Sequence, residues 1–242
     1  MDVRIAAVAP EFEVAAERQP WRASPAQQRS IDRLWSAQLE RAGGRLRDGL
    51  VLTHVASDRR KLLARPMRWS DVHAGRVDPG LFEGRPPEPL SVQGVVTTHG
   101  HVVLGLRRAD AANWPGRWEL TPACALDGAF LDPRSGRVDA VAQLLAELVD
   151  ATPLPRPSRA AVQPLALCFE EVQRAWSLAL SVDLELGPEA VEEIEAASSA
   201  TYDTFRVARP VDVIEAGLWG GEELVPLSWA LTRLPSPRAR AA

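Results

Sequence analysis

The stretch VDAVAQLLAELVDATPL, residues 138–154, holds the residues best spaced to do chemistry. Residues three or four apart on a helix share a face. Leu144, Glu147, Leu148 and Ala151 therefore form one stripe, and Asp139, Gln143, Glu147 and Asp150 another. Carboxylates stacked in this way can hold a hard divalent cation such as Mg²⁺, which prefers oxygen ligands. Here the first stripe keeps one acid, Glu147, and the second places Gln143 where an acid would serve. Asp127 and Asp132 lie in the loop before this segment, and Glu170-Glu171 end an apolar run after it. Each is either a replacement acid or the polar mark of an exposed turn.

Other residues offer weaker chemistry. His99 and His101 flank Gly100, a spacing open to a metal but equally to a solvated turn. Arg107-Arg108 end an apolar run, where a guanidinium can hold phosphate oxygens in bidentate fashion or simply meet solvent. Trp114 and Trp118 bracket Pro115-Gly116; one could stack on a base or sugar, while Trp118 also suits a core. His54 falls in an expected strand and His73 in a short polar segment. No C-x-x-C, H-E-x-x-H, P-loop or G-x-S-x-G pattern occurs.

These residues need elements to position them. A strand is expected at Val3–Val8. A helix is expected over 24–42, with Ser24 as cap, Pro25 at the first helical position and Gln27 closing a capping box. GLVLTHVA and KLLARPMRW read as a hairpin over about 49–69, with Pro66 making its second strand irregular or an edge. Residues 75–90 are dense in Gly and Pro and read as a linker, which places a boundary near 89. SVQGVVTTHGHVVLGLRR reads as a second hairpin, WELTPACAL as one short strand and Val138–Asp150 as a helix. LALCFEEV and AWSLALSVDLEL are strands, GPEAVEEIEAASS an acidic solvated stretch, and ELVPLSWALTRL a final helix. Residues 236–242 read as a loose tail.

The order and wording of 91–235 resemble the Nudix hydrolase family. VVLGLRR is similar to its vLL.rRs stretch, PGRWELTPACAL to its pg.WelPgGgve stretch, and AVAQLLAELVDAT occupies the place of its aa.REl.EEtG helix. LVPLSWALTRL resembles its C-terminal helix. Residues 1–89, on the strength of IDRLWSAQLE and the general layout, resemble the N-terminal extension of the UDP-sugar diphosphatase branch. The resemblance implies an α/β fold, an α/β/α sandwich around a mixed sheet spanning 90–235, with the helix and hairpin added in front. It also implies hydrolysis of a nucleoside diphosphate linked to another group, with Mg²⁺ held by helix glutamates.

This chain departs from that pattern. Laid on R-E-U-x-E-E-x-G-U, the motif falls on Gln143, Leu144, Leu145, Ala146, Glu147, Leu148, Val149, Asp150 and Ala151, so one of three glutamates remains. Upstream, Ala123-Cys124 stand where glycines are usual, and Gly128 is displaced. The resemblance thus implies Arg107, Arg108, Trp118, Glu119 and Gln143 around a nucleotide-like diphosphate. It leaves Glu147, Glu170 and Glu171 as candidate catalytic acids. No bound metal is expected; Mg²⁺ enters only if hydrolysis survives, on Glu147, Asp139 and Asp127. Three readings stay open: a plain core helix, a Nudix fold repurposed without its metal site, and a diphosphatase whose acids come from elsewhere. A non-enzymatic interaction protein is a further alternative.

Composition narrows the setting. The 242 residues are 46% hydrophobic and 25% charged, enough for a sizeable core. Net charge is −4 and the pI about 5.7, so no nucleic-acid partner is expected. Lys61 is the one lysine among 28 basic residues, a bias of coding more than an arginine patch. No window reaches the roughly 18 apolar residues of a membrane helix. MDVRIAAVAPEFEV carries no basic n-region followed by an apolar run, and Cys124 and Cys168 are the only cysteines. A cytoplasmic protein with a small-molecule ligand is the expectation, and a homodimer is compatible with it.

Overall fold

The computed structural model describes residues 3–44, 46–111, 113–216, 218–219 and 222–234. The tail expected at 236–242 lies outside them. The first part of the chain forms β1 (Val3–Ala7), β2 (Glu13–Ala16), α1 (Pro25–Arg41), β3 (Leu50–Ser57), β4 (Lys61–Arg68) and α2 (Trp69–Val77). Next come β5 (Leu90–Thr98), β6 (His101–Arg107), β7 (Trp118–Leu120), β8 (Ala123–Ala125) and α3 (Ala140–Ala151). The chain continues through β9 (Val162–Glu170), β10 (Ala175–Asp183), α4 (Pro188–Ala196), β11 (Tyr202–Ala208) and α5 (Pro210–Ala216). A short ribbon, β12 (Leu218–Trp219) with β13 (Glu222–Glu223), precedes α6 (Pro226–Thr232).

Among the described residues the main sheet has eight strands. Its order is β1-β9-β10-β5-β6-β11, with β7 on β6 and β8 on β5. It is mixed: β5 and β10 run parallel, while the other pairs are antiparallel. Side chains alternate between its faces. On one face Val92, Val103, Leu167 and Leu180 pack with Leu144 and Leu148 of α3 and Ile194 of α4. On the other, Val95, Leu104, Cys168 and Ala179 pack with Val213 of α5 and Leu227 and Leu231 of α6. Helices therefore cover both faces of a mixed sheet, as expected of the α/β class.

Local sequence explains the element ends. At α1 the Ser24 Oγ accepts the Gln27 amide (3.3 Å), and Gln27 Oε1 accepts the Ser24 amide (2.9 Å), the reciprocal box read from S-P-A-Q. The β5–β6 hairpin turns on His99 (φ 46°) and Gly100 (φ 80°), the two positive φ values of a two-residue turn. Gly105 serves another purpose: a Cβ there would come within 2.6 Å of the Tyr202 ring, so its absence lets that ring lie on β6.

Several expectations are corrected. Residues 69–77, read as a strand end, a polar segment and the start of a linker, form α2. Its first turn is set by the Asp71 carboxylate accepting the Arg68 amide (2.9 Å), and Val72, Ala74 and Gly75 are buried. WELTPACAL is two strands, since Thr121-Pro122 leaves the ladder between β7 and β8. The acidic stretch contains α4, which buries Ile194. β4 is central between β2 and β3 rather than an edge. Pro66 is accommodated because β2 pairs only with residues 61–64, leaving that flank unpaired at Pro66.

β1 adds to the main sheet, and Val14, Leu52, Leu62 and Ala64 join the core that contains α3. Residues before 89 are thus packed into the same core as those after it.

Candidate functional site

α3 begins at Asp139, whose carboxylate accepts the Ala142 amide (2.9 Å) and pairs with Arg159 (2.8 Å). Leu144 and Leu148 are 0% exposed, so the stripe read as a degraded metal face is the core-facing side of the helix. Gln143 is buried as well. Its Oε1 accepts the Asp127 amide (2.9 Å) and its amide nitrogen donates to the Ala125 carbonyl, fastening α3 to the loop that follows β8.

Glu147 is half-buried beside Cys124. Burial raises its pKa, the nearby Asp150 charge adds to this, and the thiol hydrogen bond opposes it. Burial and the Glu147 charge push the Cys124 thiol up to about 12, so it stays protonated and unreactive at neutral pH.

A second cluster adjoins. Glu119 lies on β7 between Trp118 and Leu120, which point into the opposite core. Its Oε1 accepts from Arg107 Nη1 (2.8 Å) and from the Tyr202 hydroxyl (2.8 Å). Glu119 is 3% exposed; burial raises its pKa against the opposing charge of Arg107. Burial and the neighbouring Glu119 charge raise Tyr202 well above the usual phenol value, keeping it a donor. Arg107 Nε is buried and makes no hydrogen bond among the described residues.

The remaining candidates are separated. Glu170 follows Cys168 by two residues and shares its face, opposite the one that α3 covers. Glu171 is exposed and pairs with Arg4 (3.1 Å). Arg108 is exposed between Asp110 (3.2 Å) and Asp203 (3.4 Å). Asp127 caps the short turn at 128–130, and Asp132 accepts from the Arg134 amide (2.9 Å) and Ser135 Oγ (2.6 Å). Trp114 lies under the Arg117 guanidinium (4.8 Å). His99 bonds the Leu186 carbonyl (3.0 Å), and His101 bonds the His99 carbonyl (3.2 Å). The structure thus unites Arg107 with Glu119, sets Glu147 near them, and leaves Glu170, Glu171 and Arg108 elsewhere. Sequence reasoning missed Tyr202 and Cys124 as their partners. The hint for Cys124 was its place two residues before the first core-facing Leu of the loop; Tyr202 gave none.

These residues do not fit a magnesium ion. The ion needs several oxygen donors. The face offers Glu147 alone, since Leu144 and Leu148 are packed, Asp127 and Asp139 serve as caps, and Glu119 is committed to Arg107 and Tyr202. Among the described residues no three His, Cys, Asp or Glu side chains come together as metal ligands.

Glu170 gives a pH-dependent prediction. Its Oε1 is buried without a hydrogen bond among the described residues, and burial raises its pKa. A carboxyl whose folded pKa is raised favours folding below the unfolded pKa, and that contribution is lost as pH rises through the folded value. Glu170→Gln is therefore expected to stabilise the protein at pH 7 by about 1 kcal/mol, with the gain shrinking as pH falls through the raised folded value and gone below the ordinary glutamate value of 4.5. Urea melts at the two pH values check this; destabilisation at pH 7 would mean the carboxylate is paired.

Two clefts open away from α3. One, of about 580 Å³, has largely apolar walls between the sheet and α6, with Asp183 and Glu185 among its lining. The other, of about 640 Å³, is lined by Trp21, His54, Arg65, Phe82, Arg85 and Arg174, together with Glu83 and Glu88.

No family model matches the chain, and no curated protein matches it. Solved structures do. The Nudix domain of Shewanella oneidensis NrtR, in complex with ADP-ribose, is similar at 14% identity and TM-score 0.47, over 66% of this chain and 92% of its own. A Nudix hydrolase from Alicyclobacillus acidocaldarius is similar at 12% identity and TM-score 0.45, over 60% and 90%. The MutT protein from Methanosarcina mazei Go1 is similar at 14% identity and TM-score 0.40, over 60% and 89%.

Proposed function

We propose that this chain is a Nudix-like protein, with an N-terminal extension resembling that of the UDP-sugar diphosphatase branch, that binds a nucleotide or nucleotide-sugar-like diphosphate without standard Mg²⁺-dependent hydrolysis. The observation that carries the reading is the face of α3: Leu144 and Leu148 are fully buried where a metal-binding helix needs carboxylates. Glu119, the acid next to that face, is bound to Arg107 and Tyr202 and supports the β6–β7 ladder.

In this reading Glu147 is the acid that remains on that stripe, half-buried, its pKa raised by burial and by the nearby Asp150 charge. A ligand that binds only the folded state stabilises it by RT ln(1 + L/Kd) at ligand concentration L, about 2.7 kcal/mol at a concentration a hundredfold above Kd.

The test is a thermal-shift panel on the full chain with UDP-glucose, ADP-ribose and UDP, each with and without Mg²⁺, followed by product analysis. The expected result is a rise in Tm that Mg²⁺ does not alter, with no diphosphate cleavage. Flat melting curves across the panel would favour an interaction protein. Mg²⁺-dependent cleavage lost in Glu147→Gln would restore the diphosphatase.

A further inference from the structure

We infer that the cleft between the β3–β4 hairpin and residues 82–88 binds a small ligand that carries a planar ring and an anionic phosphate. The inference rests on the proposed nucleotide-type binding and assigns it a site apart from α3, since no α3 residue lines this cleft.

Its volume, about 640 Å³, is that of a small-molecule site. Three guanidinium groups line it against two carboxylates. Arg65 spends Nε and Nη2 on Glu17 (2.6 and 2.8 Å), and Arg174 spends Nη2 on Glu88 (2.6 Å). Each guanidinium carries five N–H donors, so both retain unused ones. Arg85 is exposed and makes no side-chain hydrogen bond or ion pair among the described residues. Glu88 is already engaged by Arg174 and by the Trp176 indole N–H (2.8 Å), which reduces its repulsion of an anion.

The same cleft supplies rings. Trp21 and Phe82 line it with centroids 5.1 Å apart, and both are half-buried. His54 also lines it, its ring stacked on Trp176 at 4.2 Å. Burial lowers the His54 pKa, so the imidazole is neutral at pH 7 and presents a flat surface. A base or similar ring stacks on such surfaces, while arginines hold phosphate oxygens in bidentate fashion.

The walls are fixed in place. Gln27 of α1 donates to the Leu81 carbonyl (2.8 Å), and the His54 amide donates to the Glu88 carbonyl (2.8 Å). The site is therefore set before the ligand arrives, which lowers the entropic cost of binding.

Isothermal titration of the full chain with UDP, ADP, uridine and inorganic pyrophosphate tests this. UDP or ADP is expected to bind, and uridine and pyrophosphate to bind at least about tenfold more weakly, since each lacks one half of the recognition. Arg85→Glu is expected to weaken nucleotide binding by about tenfold or more, and Trp21→Ala by a similar factor. Arg85 is exposed, so its variant should fold; melting curves verify this, and Arg206→Glu on β11 serves as a remote charge control. If nucleotides bind but Arg85→Glu and Trp21→Ala leave the affinity unchanged, the cleft assignment fails while the proposed function stands. If the unaltered protein binds no nucleotide, both fail.

Discussion

Leu148→Glu is expected to unfold the protein instead of supplying a metal ligand. Leu148 is 0% exposed and packs in the core that joins α3 to the main sheet. Losing its apolar contacts costs about 2–5 kcal/mol, and burying a carboxylate without a partner adds several more. Domains of this kind have roughly 5–15 kcal/mol in all, so most molecules would lose the native state or melt far below the parent. Leu148→Ala separates the two contributions: it should lose only the packing part. Urea melts with and without Mg²⁺ read the result. A Leu148→Glu protein within about 1 kcal/mol of the parent, further stabilised by Mg²⁺, would show that this stripe faces a ligand.

Arg107→Met should be nearly as damaging, for an electrostatic reason. It removes the cation that faces the buried Glu119 carboxylate at 2.8 Å. Breaking a buried pair from one side costs about 3–5 kcal/mol, because the remaining charge is uncompensated. Glu119 already has a raised pKa through burial, and without Arg107 it rises further. The folded state then binds a proton that the unfolded chain does not. The variant should therefore regain stability as pH falls through the raised folded value. The gain levels off once the carboxyl of the unfolded chain also protonates, near the ordinary glutamate value of 4.5. Arg107→Met combined with Glu119→Gln should recover much of the loss at pH 7, since a neutral pair removes the buried charge. Denaturant midpoints from pH 5 to 8 measure this. A loss below about 1 kcal/mol, flat across pH, would mean that solvent already screens the pair.

Much of the architecture was legible because its causes are local. S-P-A-Q at residues 24–27 specifies a helix start, and His99-Gly100 specifies a tight hairpin. Helical spacing placed α3, and the same spacing named the residues that proved to be core. α2 escaped notice because a nine-residue helix follows β4 directly, with no Gly or Pro between them. The site was less legible. Asp127, Asp132 and Asp139 read as spare acids, yet each satisfies nearby amides. Glu119 and Tyr202 meet across 83 positions of sequence, a contact created by the β7–β6–β11 pairing and by the missing Cβ of Gly105. The arginine-lined cleft is likewise assembled from segments far apart in the chain, around Trp21, His54, Phe82 and Arg174.

The most direct measurement is product analysis after prolonged incubation of the full chain with UDP-glucose and ADP-ribose in Mg²⁺, run beside calorimetric binding of the same compounds. The account predicts saturable binding and intact ligand at the end. Cleavage that depends on Mg²⁺ and disappears in Glu147→Gln would contradict it.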